Sequence, residues 1–170
     1  LVGGDHSTPF GFIQALAERH EGMGVLHIDA HADLREAYEG FRYSHASIMY
    51  NVLKDIPQVG KIVQVGIRDY CDEEVALARS SEGKVVQFDD YCLSSARLEG
   101  KTWAEQCKEI VEHLPQNVYI SFDIDGLSAD NCPHTGTPVV GGLSFNQALY
   151  LLDSVVRSGR RIVGFDLVEV

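Results

Sequence analysis

Two short apolar runs that each end directly in a cluster of acid groups limit the fold of this chain more than any other feature. Gly24-Val25-Leu26-His27-Ile28 runs into Asp29-Ala30-His31-Ala32-Asp33, and Asn117-Val118-Tyr119-Ile120-Ser121-Phe122 runs into Asp123-Ile124-Asp125. Runs this short, rich in β-branched and aromatic residues, read as strands buried on both faces. The acid clusters therefore leave the carboxyl ends of two strands, where open α/β sheets bind their ligands. A third apolar start, Leu1-Val2, leads into Gly3-Gly4-Asp5-His6-Ser7 and adds an imidazole.

The rest of the chain supports a layered fold. Pro9 after Ser7-Thr8 signals a helix start, with Phe10 to His20 running to a stop at Gly22. Further helices are predicted over 45–56, 72–81, 102–114 and 144–156, and further strands over 61–67, 84–88 and 161–167. Six strands, counting Leu1-Val2, separated mostly by helices imply right-handed crossovers and a three-layer α/β/α fold with a mainly parallel central sheet. At 170 residues and 45% hydrophobic content, residues 1–170 form one domain with a real core. Because the chain opens and stops inside apolar runs, it reads as the central part of a larger subunit.

The acid groups suit metal chemistry. Asp29, Asp33, Asp123 and Asp125 carry four negative charges, which match two divalent cations, while neutral His6 and His31 complete the set. Carboxylates with some imidazole suit Mn, with Fe, Co, Ni or Zn as alternatives, and argue against a structural zinc on cysteine. Two such ions about 3.5–4 Å apart share a water and lower its pKa towards neutrality. The plainer alternative is that each Asp caps the helix that follows its strand.

Taken with Thr135-Gly136-Thr137-Pro138, Gly141-Gly142-Leu143 and Gly164-Phe165-Asp166-Leu167-Val168-Glu169-Val170, these three clusters resemble the ordered motifs of the ureohydrolases. That family includes arginase, agmatinase, formimidoylglutamase and guanidino-acid hydrolases, and the resemblance covers the whole chain. It implies an arginase-like fold, two Mn ions per subunit, a urea-releasing hydrolysis, and a trimeric or hexameric homo-oligomer. It also implies that His6 and Asp33 serve one metal, His31 and Asp125 the other, and that Asp29 and Asp123 bridge, with Asp125 supporting the tetrahedral intermediate.

Arg42-Tyr43-Ser44-His45-Ala46-Ser47 resembles the Ser-His-Gly-Thr segment of agmatinases, where a histidine passes a proton to the leaving amine. Imidazole suits that task because it titrates near neutral pH. Glu169 is expected near the metals, where a carboxylate takes two parallel donors from a guanidinium. Asp166 is expected to hydrogen-bond a ligand histidine, and by resemblance Thr137 contacts the guanidinium. Leu34 to Phe41 and Gly66-Ile67-Arg68 look more like agmatinases than arginases, and Glu36 and Glu39 are expected to meet a distal cation. Ala46 and Ser47 replace the usual Gly and Thr, and His134, just before Thr135, is expected to reshape the pocket rim.

Other classes fit less well. A formal net charge of −11 leaves no basic stripe for nucleic acid and favours a small cationic guanidino substrate. Cys71, Cys92, Cys107 and Cys132 lie far apart and read as free thiols in a reducing compartment, which points to the cytoplasm. No apolar run is long enough to cross a bilayer. Arginase or formimidoylglutamase activity is the alternative within the family, and a non-catalytic homologue the alternative outside catalysis.

Overall fold

The computed structural model describes residues 1–170. Five strands, β1 (Met23–Ile28), β2 (Val59–Val65), β3 (Val85–Phe88), β4 (Asn117–Asp123) and β5 (Arg161–Val168), form one sheet in the order β3-β2-β1-β4-β5. Every neighbouring pair is parallel. The chain winds outward from β1 through β2 to β3, then crosses back to β4 on the other side of β1 and continues to β5. The direction of winding thus reverses between β1 and β4, and this gap is where a doubly wound sheet opens a crevice at its carboxyl edge.

Six helices cover the faces: α1 (Phe10–Ala17), α2 (Ile48–Asp55), α3 (Asp72–Ser80), α4 (Asp90–Leu98), α5 (Trp103–Glu112) and α6 (Phe145–Arg157). Two apolar clusters follow from strand alternation. Leu26, Ile28, Val63, Val65 and Ile120 pack with Ile110, Leu151 and Val155 on one face. Val25, Ile62, Val85 and Tyr119 pack with Ile13, Ile48, Val52 and Ala78 on the other. All six residues of β1 are buried, and at about 1.5–3 kcal/mol per large apolar side chain this central strand anchors both layers.

Two expectations need correction, and one helix was not anticipated. Leu1-Val2 is not a sixth strand: Val2 makes a single bridge to Leu167, and Gly3 and Gly4, at φ +94° and +83°, leave extended backbone straight afterwards. The predicted helix 45–56 divides into a short 3-10 turn, His45–Ser47, followed by α2. Helix α4 had no visible apolar period because only Leu93 is buried; its start is set by Asp89, which accepts the Cys92 N–H at 2.8 Å. No helix is long and apolar enough to cross a membrane.

Candidate metal centre

Sheet register decides which side chains meet. Ile28 pairs with Phe122 on β4 and Val65 on β2, so the loops leaving β1 and β4 start level and Asp29 and Asp123 emerge side by side. Each loop then opens with the same turn. The Asp29 carboxylate accepts the His31 N–H at 2.6 Å, and the Asp123 carboxylate accepts the Asp125 N–H at 2.9 Å. Asp5 does the same with Ser7 at 2.9 Å. A side-chain oxygen that binds the N–H two residues on is an Asx turn, which is why these motifs share an Asp-x-polar spacing. The loops are also joined, since Asp125 accepts the Ala30 N–H at 3.0 Å. Gly126 permits that approach: a Cβ there would stand 2.7 Å from the Asp29 backbone nitrogen.

The third segment runs along β5, with Gly3 donating to the Leu167 carbonyl at 2.8 Å, and delivers His6 into the cluster. Asp166 Oδ1 is an acceptor, so the Ser121 hydroxyl donates to it at 3.1 Å and in turn accepts the His6 Nε2 proton at 2.8 Å. Asp166 therefore reaches the histidine through Ser121 rather than directly, a refinement of the expected contact. His6 Nδ1 lies 3.0 Å from Asp29, 3.1 Å from Asp33 and 3.3 Å from Asp123. Burial works to lower the His6 pKa, but these carboxylates outweigh it and hold it well above the usual imidazole range. Both His6 Nδ1 and Asp33 Oδ2 are buried without a hydrogen-bond partner. A buried nitrogen that faces three carboxylates is strongly unfavourable unless positive charge, a proton or a metal cation, lies between them. This donor set fits a divalent cation.

All six donors anticipated from the sequence are brought together. His6, His27, Asp29 and Asp33 form one group and Asp29, His31 and Asp125 a second, so Asp29 belongs to both; Asp123 joins them through His6, 3.3 Å away. His31 Nδ1 lies 3.1 Å from Asp125 and 3.5 Å from Asp29. Burial raises the Asp123 pKa and the charge of Asp29 adds to it; against the opposing pull of His6, they hold it at about 8. Burial works to lower the His31 pKa, but hydrogen bonds to Asp125 and Asp29 outweigh it and lift it to about 11. Asp33 itself has φ +53° and Glu169 φ +58°, a region that costs a non-glycine residue about 1–2 kcal/mol. Two of the chain's strained residues thus turn their carboxylates towards one place.

His6, His31, Asp33 and Asp123 form part of the lining of a cavity of about 150 Å³, room for a guanidinium head and water rather than a folded segment. His45, Thr137 and Glu169 line its walls with Arg35, Tyr38, Asp69 and Glu74. Glu169 accepts the His6 backbone N–H at 2.9 Å, and the Thr137 hydroxyl reaches Asp125 at 3.4 Å. The exposed His45 ring meets Tyr38 edge to face at 5.5 Å. Glu36, Glu39 and the exposed His134 are not among the residues that line the cavity; outside the cluster, Asp69, Glu74 and Glu169 are its acidic lining residues.

Sequence reasoning missed Arg68 as a positioning residue. Its guanidinium donates to five backbone carbonyls, those of Gly66, Asp125, Leu127, Val139 and Val140, at 2.7–3.3 Å. One side chain thereby ties the end of β2 to both limbs of the loop that carries Asp125 and Thr137. The planar five-donor fork of arginine suits this and a lysine does not. The only signal was the Gly-Ile-Arg resemblance, which says nothing about what the arginine holds.

The family profile described as "Arginase family" matches residues 1–170. The chain is similar to N(1)-aminopropylagmatine ureohydrolase of Thermus thermophilus, 39% identical over 170 residues, covering 99% of this chain and 53% of the relative. It is also similar to an agmatinase of Halalkalibacterium halodurans, 33% identical over 172 residues, covering 99% of this chain and 54% of the relative. Among solved structures, the arginase of Bacillus subtilis superposes with a TM-score of 0.84 at 27% identity, covering 99% of this chain and 62% of that one. The chain spans about half the length of the curated relatives it matches. Motif order, sheet topology and the profile match agree over the full length, and the chain belongs to the arginase family.

Proposed function

We propose that the protein is an agmatinase-like ureohydrolase that uses two divalent cations, Mn in the first instance, to cleave a guanidino C–N bond and release urea. The observation that carries this reading is the buried, unpartnered His6 Nδ1 facing Asp29, Asp33 and Asp123. His6 and Asp33 would hold one cation, His31 and Asp125 the other, with Asp29 and Asp123 shared. Such a pair supplies a water of lowered pKa and an electrophilic clamp on the substrate. Glu169 lies on the cavity wall with its carboxylate held by the His6 N–H, which supports a role in taking the parallel donors of a guanidinium. Thr137 steadies Asp125. His45 gives its proton to the departing nitrogen, so that a neutral urea and a protonated amine leave. Residues 1–170 serve as one catalytic domain of a subunit that assembles as a homo-oligomer in the cytoplasm.

Uncharged or cationic tails are favoured by the agmatinase-like segment from Leu34 to Phe41 and by Asp69 at the rim. A second reading, a guanidino acid, is favoured by one observation: Arg35 puts a permanent cation in the cavity wall, 3.8 Å from Glu74 and stacked over Tyr38. A urea-release assay of the full-length, Mn-loaded protein on agmatine, L-arginine, guanidinobutyrate, formiminoglutamate and guanidine separates these. Agmatine is expected to show the highest kcat/KM. A preference for guanidinobutyrate would install the Arg35 reading, and no urea from any substrate would overturn the proposal.

A further inference from the structure

Register places a row of polar side chains straight across the sheet, one layer below the acid cluster. Gln87 pairs with Gln64, Gln64 with His27, His27 with Ser121, and Ser121 with Asp166, one residue from each of the five strands. Paired residues of parallel strands point to the same face, so the row is continuous. His27, Gln64, Ser121 and Asp166 are fully buried. An apolar sheet interior tolerates such a row only where its members satisfy one another.

The hydrogen bonds fix where its protons sit. The Ala32 carbonyl can only accept, so the Gln64 side-chain atom 2.6 Å from it must be the amide nitrogen. The same nitrogen lies 2.9 Å from His27 Nδ1, which must therefore accept. Gln64 in turn accepts from Gln87 at 2.8 Å, which leaves its amide no reason to turn over. The His27 proton is thereby placed on Nε2, which faces Asp29 Oδ2 at 2.7 Å.

We infer that His27 is not a cation ligand, although it lies among the donor atoms of the first group, but a positioning residue that donates to Asp29. The Gln87-Gln64-His27 half of the row holds the tautomer that makes this possible. Asp29 then takes the His27 proton on one oxygen and the His31 N–H on the other. Each oxygen keeps a further lone pair for a cation. The other half of the row acts alike on His6, where Asp166 and Ser121 hold the proton on Nε2 and leave Nδ1 as the donor. The sheet thus presets one shared carboxylate and one imidazole. The inference rests on the cation reading of the site.

Two measurements on the full-length protein test it. In histidine labelled with nitrogen-15, long-range proton correlations should show His27 protonated on Nε2, both without metal and with diamagnetic Zn²⁺ bound. Protonation on Nδ1, or loss of the Nε2 proton when Zn²⁺ binds, would make His27 a ligand and overturn the inference. Mn²⁺ titration followed by the resonance of the free ion is the second test. His27→Phe, which keeps the bulk and loses the donor, should weaken binding by about 10–100-fold, the usual effect of removing a partner of a metal ligand. His27→Gln, whose amide nitrogen reaches as far as Nε2, should restore most of it. Wild-type protein taking up two Mn²⁺ while His27→Phe binds equally tightly would sink this inference alone. Wild-type protein taking up none would sink the cation reading and this inference with it. Should His27→Phe fail to fold, the tautomer measurement on the wild type decides.

Discussion

The floor and the rim of the cavity are held by different forces. On the floor, Asp29, Asp123 and Asp125 are fixed by backbone N–H groups and by the register of β1 against β4, with almost no exposure to solvent. On the rim, the segment carrying His45 has a backbone tie to the loop after β1, Arg35 donating to the Ala46 carbonyl at 3.2 Å, and is otherwise braced by local contacts nearer the surface. Arg42 makes a two-pronged ion pair with Asp55 at 2.7–2.8 Å, Tyr38 and Phe41 close a small turn, and Asn51 donates to the Arg42 carbonyl. Asp29, Asp123 and Asp125 thus stand at strand ends, whereas His45 stands in an exposed 3-10 turn. Changes to the floor should therefore abolish metal binding, while changes to the rim should alter rate and substrate choice with the metal in place.

The largest expected effect comes from the floor. Asp123→Ala should remove both cations from the full-length protein and urea release with them, because the proposed role of Asp123 serves both; elemental analysis checks this. Retention of two ions would detach Asp123 from the cluster. On the rim, His45→Ala should lower kcat by about 10²–10⁴-fold, the range for lost acid–base catalysis, with two cations still bound. Unchanged kcat would make His45 a residue of the 3-10 turn and nothing more.

Acid should weaken the floor more gently. Without metal, burial and the Asp29 charge push the Asp123 pKa up to about 8, and hydrogen bonds to Asp125 and Asp29 lift that of His31 to about 11 against the effect of burial, so both favour their protonated forms at neutral pH. A cation needs Asp123 ionised and His31 neutral, so binding must expel protons and the affinity must rise with pH. Each proton released gives up to about tenfold in affinity per pH unit below the pKa concerned. Calorimetry of Mn²⁺ binding in two buffers of different protonation enthalpy counts those protons. A heat that does not depend on the buffer would contradict the assignment. The smallest effect belongs to the rim pair: Arg42→Ala should cost only about 0.2–1 kcal/mol of stability, as exposed ion pairs do. It should shift KM more than metal content, and a thermal melt with a Mn²⁺ titration separates these outcomes.

The same contrast explains what could be read from the sequence. The floor was legible because an Asx turn at a strand end needs a fixed spacing, so Asp29-x-His31 and Asp123-x-Asp125 carry their geometry in three letters. The parallel sheet and most helices were legible from apolar periods. The polar row was hidden because His27, Gln64, Gln87, Ser121 and Asp166 sit singly inside apolar runs, and only register lines them up. Arg68 was hidden for a similar reason, since its partners are backbone carbonyls distant in sequence. The rim was less legible: Glu36 and Glu39 had charge suited to a distal cation, but nothing in their spacing shows that they are not among the residues lining the cavity. Helix α4 buries one leucine, too little to leave a period.

Titrating full-length, metal-free protein with Mn²⁺ while following urea release from agmatine tests the central claim most directly. The account predicts two equivalents bound per chain, with urea release rising only as both are filled. Saturation with one equivalent, or no uptake at all, would contradict a two-cation centre built on His6, His31 and the four aspartates.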